Sequence, residues 1–241
     1  MSVNPLNLLF KPNSLAIIGA SREAGSVSAT LMGNLMSGKF LGPVLPVSGA
    51  QEAIFGVLSY ADVKSLPLTP DLAIICSPVH EAPERLAELA DNGTPAALVM
   101  DPDYDLLEAS ERTKIDEQIR AVVRDKHIRV LGPGSLGMIV PASGVNASLS
   151  KVGAREGRIA FVTQSDSLFE SVLDWAKNNN IGFSHCISLG RQLDVDFSSV
   201  LDYLGEDPAT RSILLYVESI QDARRFISTV QIGRASCRER V

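Results

Sequence analysis

Short apolar runs alternate along this chain with stretches of helical spacing, and the alternation occurs twice. Residues 14–19 form an apolar run ending on glycine, the pattern of a strand buried on both faces. Residues 26–37 set Val27, Leu31, Asn34 and Leu35 at helical spacing, and Gly38 stops the helix. Further strands are predicted at 43–47, 71–76, 96–100 and 128–131, with helices at 81–91 and 107–126 and a short one at 60–66 before Pro67. Residues 132–158 have little periodicity and several glycines, which predicts a connection between two units. A second alternation follows: strand 158–163, helix 165–178 with Leu168, Val172, Leu173 and Trp175 on its apolar side, strand 183–188, helix 198–204, strand 213–217 and a helix starting at 222. This order predicts an α/β chain of parallel sheets covered on both faces, with right-handed crossovers.

Composition narrows the classes. The 241 residues suffice for one large or two ordinary α/β domains. Hydrophobic residues make up 45%, yet no run approaches the roughly 20 needed to span a bilayer, so no membrane partner is expected. Met1-Ser2-Val3-Asn4-Pro5 lacks a basic region followed by an apolar stretch, so no signal peptide is expected. Cys76 and Cys186 lie in apolar, strand-like runs rather than a disulfide framework, which fits a cytoplasmic location. A net charge of -6 gives no reason to expect nucleic-acid binding. Residues 232–241, from Ile232-Gly233-Arg234-Ala235-Ser236 to Val241, read as the in-frame translation of a common short-read sequencing adapter, whose first bases also fit the codon of Gln231. Residues 231–241 are therefore set aside, and the chain is expected to be a fragment whose own sequence stops near Val230.

The loop after the first strand carries the clearest chemistry. Gly19-Ala20-Ser21-Arg22-Glu23-Ala24-Gly25-Ser26 lies between strand and helix, at the carboxyl edge of the sheet. Glycines let the backbone turn tightly and approach a phosphate, which the free N–H groups and dipole of the next helix attract. Ser21 and Ser26 add hydroxyls and Arg22 a charge; a tight turn without ligand is an equal reading of the loop alone. The spacing is G-A-S-x-x-x-G rather than G-x-G-x-x-G, and Pro46-Val47-Ser48 offers no carboxylate for ribose hydroxyls. A nucleotide with a phosphate near its ribose, such as coenzyme A, suits that end better than NAD.

Several ordered segments resemble the nucleoside-diphosphate-forming acyl-CoA synthetase superfamily. They are Leu9-Phe10-Lys11-Pro12-Asn13 running into Gly19-Ala20-Ser21, Gly42-Pro43-Val44-Leu45-Pro46-Val47, Leu66-Pro67 with Pro70-Asp71-Leu72-Ala73, and Leu131-Gly132-Pro133-Gly134-Ser135-Leu136-Gly137. Asn146-Ala147-Ser148, Thr163-Gln164-Ser165, Ser188-Leu189-Gly190, Leu201-Asp202-Tyr203-Leu204 and Leu215-Tyr216-Val217-Glu218 continue the likeness. The resemblance implies a Rossmann-like CoA-binding domain over 1–136, a connection over 137–157, and an incomplete flavodoxin-like, succinyl-CoA-synthetase-type domain over 158–230. Within the superfamily, Gly42 to Val47, Gly144 to Ser150, Leu173-Asp174-Trp175-Ala176 and Asp222-Ala223-Arg224-Arg225-Phe226 look most like bacterial protein lysine acetyltransferases. In these a synthetase-like region precedes a GNAT domain. That likeness implies a CoA- or acetyl-CoA-binding part of an acetyltransferase acting on protein lysines. The alternatives are an ADP-forming acyl-CoA synthetase and a CoA-binding module without catalysis.

Carried over residue by residue, the family's CoA contacts are Gly19, Ala20, Ser21, Gly25, Ser26, Val27, Pro46, Val47, Ser77, Pro78, Pro133, Gly134 and Ser135. Three stretches depart from the family. Ser48-Gly49-Ala50 stands where many relatives have Asn-Pro-Lys, Gly134 where they have Asn, and the acidic Met100-Asp101-Pro102-Asp103 where they have small residues. In the synthetases a histidine carries phosphate between acyl phosphate and nucleotide, and its position falls beyond Val230. Glu218 matches the glutamate that orients it, although a solvated strand-end carboxylate fits equally. Ser165 opens a helix on whose N–H groups a phosphate could rest, while Asp166 disfavours an anion there. ATP or ADP is expected only in downstream domains. His80 is placed beside the CoA channel, His127 and His185 as structural or surface residues, and Cys76 as packing.

Overall fold

The computed structural model describes residues 5–50 and 52–238, with side chains through residue 231. In chain order the first half is built from α1 (Pro5–Phe10), β1 (Leu15–Ile18), α2 (Val27–Ser37), β2 (Val44–Val47), the hairpin β3 (Ala53–Ile54) and β4 (Val57–Leu58), β5 (Leu72–Ile75), α3 (Ala82–Asp91), β6 (Ala96–Val99), α4 (Ala109–Lys126) and β7 (Arg129–Leu131). The second half continues with β8 (Gly137–Val140), β9 (Val145–Ser148), β10 (Arg155–Thr163), α5 (Asp166–Asn178), β11 (Gly182–Ser188), α6 (Phe197–Glu206), β12 (Ser212–Tyr216) and α7 (Ala223–Arg238).

The first sheet has the order β2-β1-β5-β6-β7 and is parallel throughout. Its strands β1, β5 and β6 are buried along their whole length, as continuous apolar runs require. The connection leaving β1 runs to β2 on one side, and the connection leaving β5 runs to β6 on the other. The carboxyl ends of β1 and β5 thus flank a topological switch point, the crevice where open α/β sheets bind ligands. Ser26 caps α2 by accepting the Ala29 N–H at 3.2 Å, and Gly38 closes the helix.

The second sheet has the order β12-β10-β11-β8-β9. Strands β12, β10 and β11 are parallel, whereas β8 and β9 join antiparallel. The stretch read as a connection over 137–157 therefore supplies two buried strands of this sheet. They are only four residues each, too short for periodicity to register.

Other sequence expectations also shift. The short helix at 60–66 is a single 3-10 turn, Val63–Ser65, held by a reciprocal Asp62 and Ser65 cap. Trp175 is 58% exposed, because α5 buries Phe169, Leu173 and Ala176 and the tryptophan lies off that stripe. α1 went unrecognised, yet Leu6, Leu9 and Phe10 are buried. α7 runs through residues set aside as adapter-derived; the side chains of 232–241 and the fold of 239–241 lie outside the described residues.

One apolar cluster crosses between the halves: Leu31, Met32 and Leu35 of α2 share it with Met138 and Val140 of β8 and Val145 and Ala147 of β9. Each such fully buried leucine contributes about 2 kcal/mol. Polar links add direction to that seam. Asn34, on α2, donates to the Ser148 and Ser150 carbonyls at 2.8 and 3.0 Å, and Lys11 Nζ meets the buried Asp207 carboxylate at 2.7 Å.

Candidate functional site

At the switch point, Gly19 adopts φ +79°, and a Cβ there would stand 2.9 Å from the Ser77 nitrogen. Only glycine allows the end of β1 to turn while lying against the end of β5. The turned loop is stapled to β2, since the Gly19 and Ala20 N–H groups both donate to the Val47 carbonyl at 3.0 and 2.9 Å. Ser21 N–H donates to Ser28 Oγ, and Ser21 Oγ accepts from Glu23 N–H, which shapes the loop ahead of α2. Gly25 is exposed, and Val27 and Ser28 hold the first N–H groups of α2, which lack carbonyl partners within a helix. This is the geometry of an anion seat.

A cleft of about 330 Å³ adjoins this loop, lined by Val27, Cys76, Ser77, Pro78, His80 and the 100–103 loop. Ser77 Oγ is buried and has no hydrogen-bond partner among the described residues. An orphaned hydroxyl facing a cleft fits a ligand that completes its bonding. Burial pushes the Cys76 thiol up to about 12, so it lines the cleft as a small apolar group. Asp101 turns its carboxylate onto the backbone N–H groups of Val79 at 2.8 Å and Asp103 at 2.9 Å, shaping the loop internally.

The expected contacts do not all face this cleft. Val27, Ser77 and Pro78 line it, Gly19, Ala20, Ser21, Gly25 and Ser26 form the adjoining loop without lining it, and Val47 supplies the stapling carbonyl. Pro46 is buried within β2 opposite Ile17. Ser135 is 5% exposed, and its hydroxyl donates to the Ser188 carbonyl at 2.6 Å and accepts from Gly137 N–H. That serine is consumed by the seam between the two sheets. Pro133 and Gly134 lie at the same seam, where the Pro133 carbonyl accepts from Arg191 N–H and Gly190 passes so close that a Cβ would stand 2.2 Å from it.

Ser165 and Glu218 are brought together on neighbouring strand ends of the second sheet. Ser165 caps α5 by accepting the Leu168 N–H. The Gln164 side-chain carbonyl accepts the Glu218 and Ser219 N–H groups at 2.8 and 3.0 Å, tying the loop after β12 to the loop after β10. Within the Thr163-Gln164-Ser165 motif, it is the Gln164 amide just past a strand end that makes this tie. Asp166 accepts from Ser188 Oγ at 2.9 Å, and burial raises its carboxyl above the ordinary value.

Of the histidines, His80 borders the cleft and His127 is an exposed helix cap in left-handed geometry. His185 lies within β11 and is buried against Tyr203 and Asp207, so it is a structural residue. A larger groove, about 980 Å³, opens at the opposite edge among Lys11, Lys39, Gly144 and Arg155; none of the expected site residues line it.

Comparison with known proteins agrees with this layout. Residues 13–141 match the family described as CoA binding domain, and residues 156–237 the succinyl-CoA ligase like flavodoxin domain. The chain is 36% identical to the ADP-forming acetate–CoA ligase I of Archaeoglobus fulgidus, over 91% of this chain and 32% of that protein. It is 30% identical to the alpha subunit of the ADP-forming acetate–CoA ligase I of Pyrococcus furiosus, over 94% of this chain and 50% of that subunit. The solved dinucleotide forming acetyl-coenzyme A synthetase 1 of Ca. Korarchaeum cryptofilum, in complex with phosphate and ADP, superposes with a TM-score of 0.88 at 27% identity, over 95% of this chain and 49% of that one. The chain thus spans a third to a half of the length of these relatives. None of the three is named as an acetyltransferase, so the expected lysine-acetyltransferase likeness gains nothing from them. With more than half its length matched and the ligand crevice in the matched half, the chain belongs to the CoA binding domain family, followed here by a succinyl-CoA ligase like flavodoxin domain.

Proposed function

We propose that this chain is the CoA-binding part of an ADP-forming acyl-CoA synthetase, which turns acyl-CoA, ADP and phosphate into the free acid, CoA and ATP. The observation that carries this reading is likeness over more than nine-tenths of the chain to proteins named as acetate–CoA ligases, in both sheets and not in the CoA-binding half alone. On this reading the nucleotide end of CoA lies on the Gly19 to Val27 loop, and the acyl thioester reaches the seam at Pro133. Phosphate attacks the acyl carbon there, the C–S bond breaks, and CoA leaves as the thiol while acyl phosphate forms. Ser165 at the head of α5 holds the phosphate, and Glu218 orients the histidine of the wider family that passes the phosphoryl group to ADP. ADP and the transferring histidine belong to parts of the synthetase outside the described residues.

The site's chemistry supports CoA over a nicotinamide cofactor, since Pro46-Val47-Ser48 carries no carboxylate for a ribose diol and the Glu52 carboxylate in the following loop is engaged by Arg22. Calorimetry of the chain should show binding of CoA and none of NAD. The uninterrupted gene product should form ATP from acetyl-CoA, ADP and phosphate. NAD binding without CoA binding would refute the site, and acetyl transfer to a lysine peptide without ATP formation would return the reading to the acetyltransferase.

A further inference from the structure

The five loops at the carboxyl edge of the first sheet, residues 19–26, 48–52, 76–80, 100–104 and 132–135, contain a single Lys or Arg, Arg22. The same loops carry Glu23, Glu52, Asp101 and Asp103. A CoA molecule brings a diphosphate and a ribose phosphate to this acidic edge; Arg191 reaches the Gly134 loop from the second sheet but pairs with Asp116, so Arg22 is the guanidinium these loops themselves supply.

Its placement is built rather than left to a free side chain. Ser59, fully buried, ties the loop after β2 into a knot: its single hydroxyl proton is shared between the Ala50 and Glu52 carbonyls at 2.8 and 3.0 Å, and its oxygen accepts from Glu52 N–H at 3.1 Å. Ser59 N–H donates back to the Glu52 carbonyl at 2.7 Å, and Ser48 N–H to the Tyr60 carbonyl. The Glu52 backbone is thereby fixed beside the end of β2. Its carboxylate meets Arg22 Nε at 3.2 Å, drawing the guanidinium from the loop after β1 across to the end of β2. The staple from Val47 to Gly19 and Ala20 holds those two loops together from beneath. Glu52 engages the Nε edge, which leaves the terminal nitrogens of the fork for a second anion.

In this fold class the end of the second strand is where the nucleotide ribose lies, and a nearby arginine there accommodates a ribose phosphate. We propose that Arg22 is the residue that reads the ribose 3′-phosphate of CoA, with Glu52 as the positioning residue that aims it. This rests on the CoA reading above and adds to it the residue that separates CoA from its analogue without that phosphate. Arg22 takes over the charge that Ser48-Gly49-Ala50 cannot supply.

The test is titration of CoA and dephospho-CoA into the wild-type chain, R22A, R22K and E52Q. Arg22 and Glu52 are surface residues, so the variants keep the fold. Wild type should bind CoA about tenfold more tightly than dephospho-CoA, the low end for a charge-assisted pair at an exposed site. R22A should bring both ligands to the dephospho-CoA affinity, R22K should keep part of the gap, and E52Q, which releases the guanidinium from its aim, should narrow the gap by weakening CoA while leaving dephospho-CoA unchanged. Equal weakening of both ligands by R22A, or a gap that survives R22A, overturns the assignment. Failure of the wild type to bind either ligand would instead overturn the CoA reading itself.

Discussion

Replacing Gly19 by alanine isolates the contact on which the switch point depends. Two terms add. An L side chain at φ +79° carries about 1–2 kcal/mol of left-handed strain. The new Cβ would also stand 2.9 Å from the Ser77 nitrogen, 3.2 Å from its Cβ and 3.3 Å from its Cα. Two of those atoms are backbone at the end of β5, so relief requires the strand end to move, at about 1–3 kcal/mol. Gly25 is the internal control: its φ is +86°, yet a Cβ there meets nothing within 4 Å. G25A should therefore cost only the strain, about 1 kcal/mol, and G19A about 3 kcal/mol in all. With a urea slope of roughly 2 kcal/mol per molar, G19A lowers the unfolding midpoint by about 1.5 M and G25A by about 0.5 M. CoA titration read alongside should show G19A losing binding, since displacement of Ser77 moves the cleft wall. Equal midpoint shifts for the two variants would refute the close approach of β1 to β5 as the reason for glycine at position 19.

Two further predictions concern the second sheet and its seam. Burial holds the His185 imidazole below its ordinary value, partly opposed by Asp207; burial acts to raise Asp207, but the Lys11 and Thr210 hydrogen bonds outweigh it and hold that carboxyl low. The unfolded chain then binds protons more readily than the fold, so stability present above pH 6.5 falls as the pH drops through that value, by up to about 1.4 kcal/mol per pH unit for one proton. H185Q should flatten this first acid limb in pH-dependent urea melts, and an unchanged limb would show that another group titrates there. Q164A should speed hydrogen exchange at the Glu218 and Ser219 amides while costing only about 1 kcal/mol globally, because it frees two exposed N–H groups rather than core contacts; protected amides in Q164A would remove Gln164 as the tie between those loops.

What the sequence revealed and what it hid follow from the range of the interactions. The strands leading to Gly19, Ser48 and Ser77 were legible because runs such as Leu15-Ala16-Ile17-Ile18 and Leu72-Ala73-Ile74-Ile75 are apolar throughout, and the loop after β1 was marked by its own glycines. β8 and β9 were hidden because β8 pairs antiparallel with β11 and β9 with β8, and both pack on α2, none of which leaves a local period. Trp175 misled because hydrophobicity does not tell which residues of a helix face its sheet. Ser135 was legible as part of a Gly-Pro loop but not as a seam residue, since its acceptor, Ser188, lies 53 positions away.

That seam joins what the two halves of the reading separately require. From Ser135 a chain of hydrogen bonds runs to the Ser188 carbonyl, and from the Ser188 hydroxyl to Asp166, the first residue of α5. Beside it the Gly190 loop lies against Pro133 and Gly134, and Arg191 ion-pairs with the buried Asp116, which also accepts from Tyr104. Buried polar groups linked this way resist small displacements, because each one left unpaired would cost about 1–3 kcal/mol. The carboxyl edges of the two sheets are therefore held in one relative position at the point where they meet. The ligand, on the synthetase reading, runs from the Gly19 loop past Ser77 to this seam, with Ser165 and Glu218 on the side of the second sheet. On the synthetase reading such rigidity is useful: the thioester carbon and the attacking phosphate must meet within bonding reach, and a fixed seam supplies that alignment before either substrate arrives.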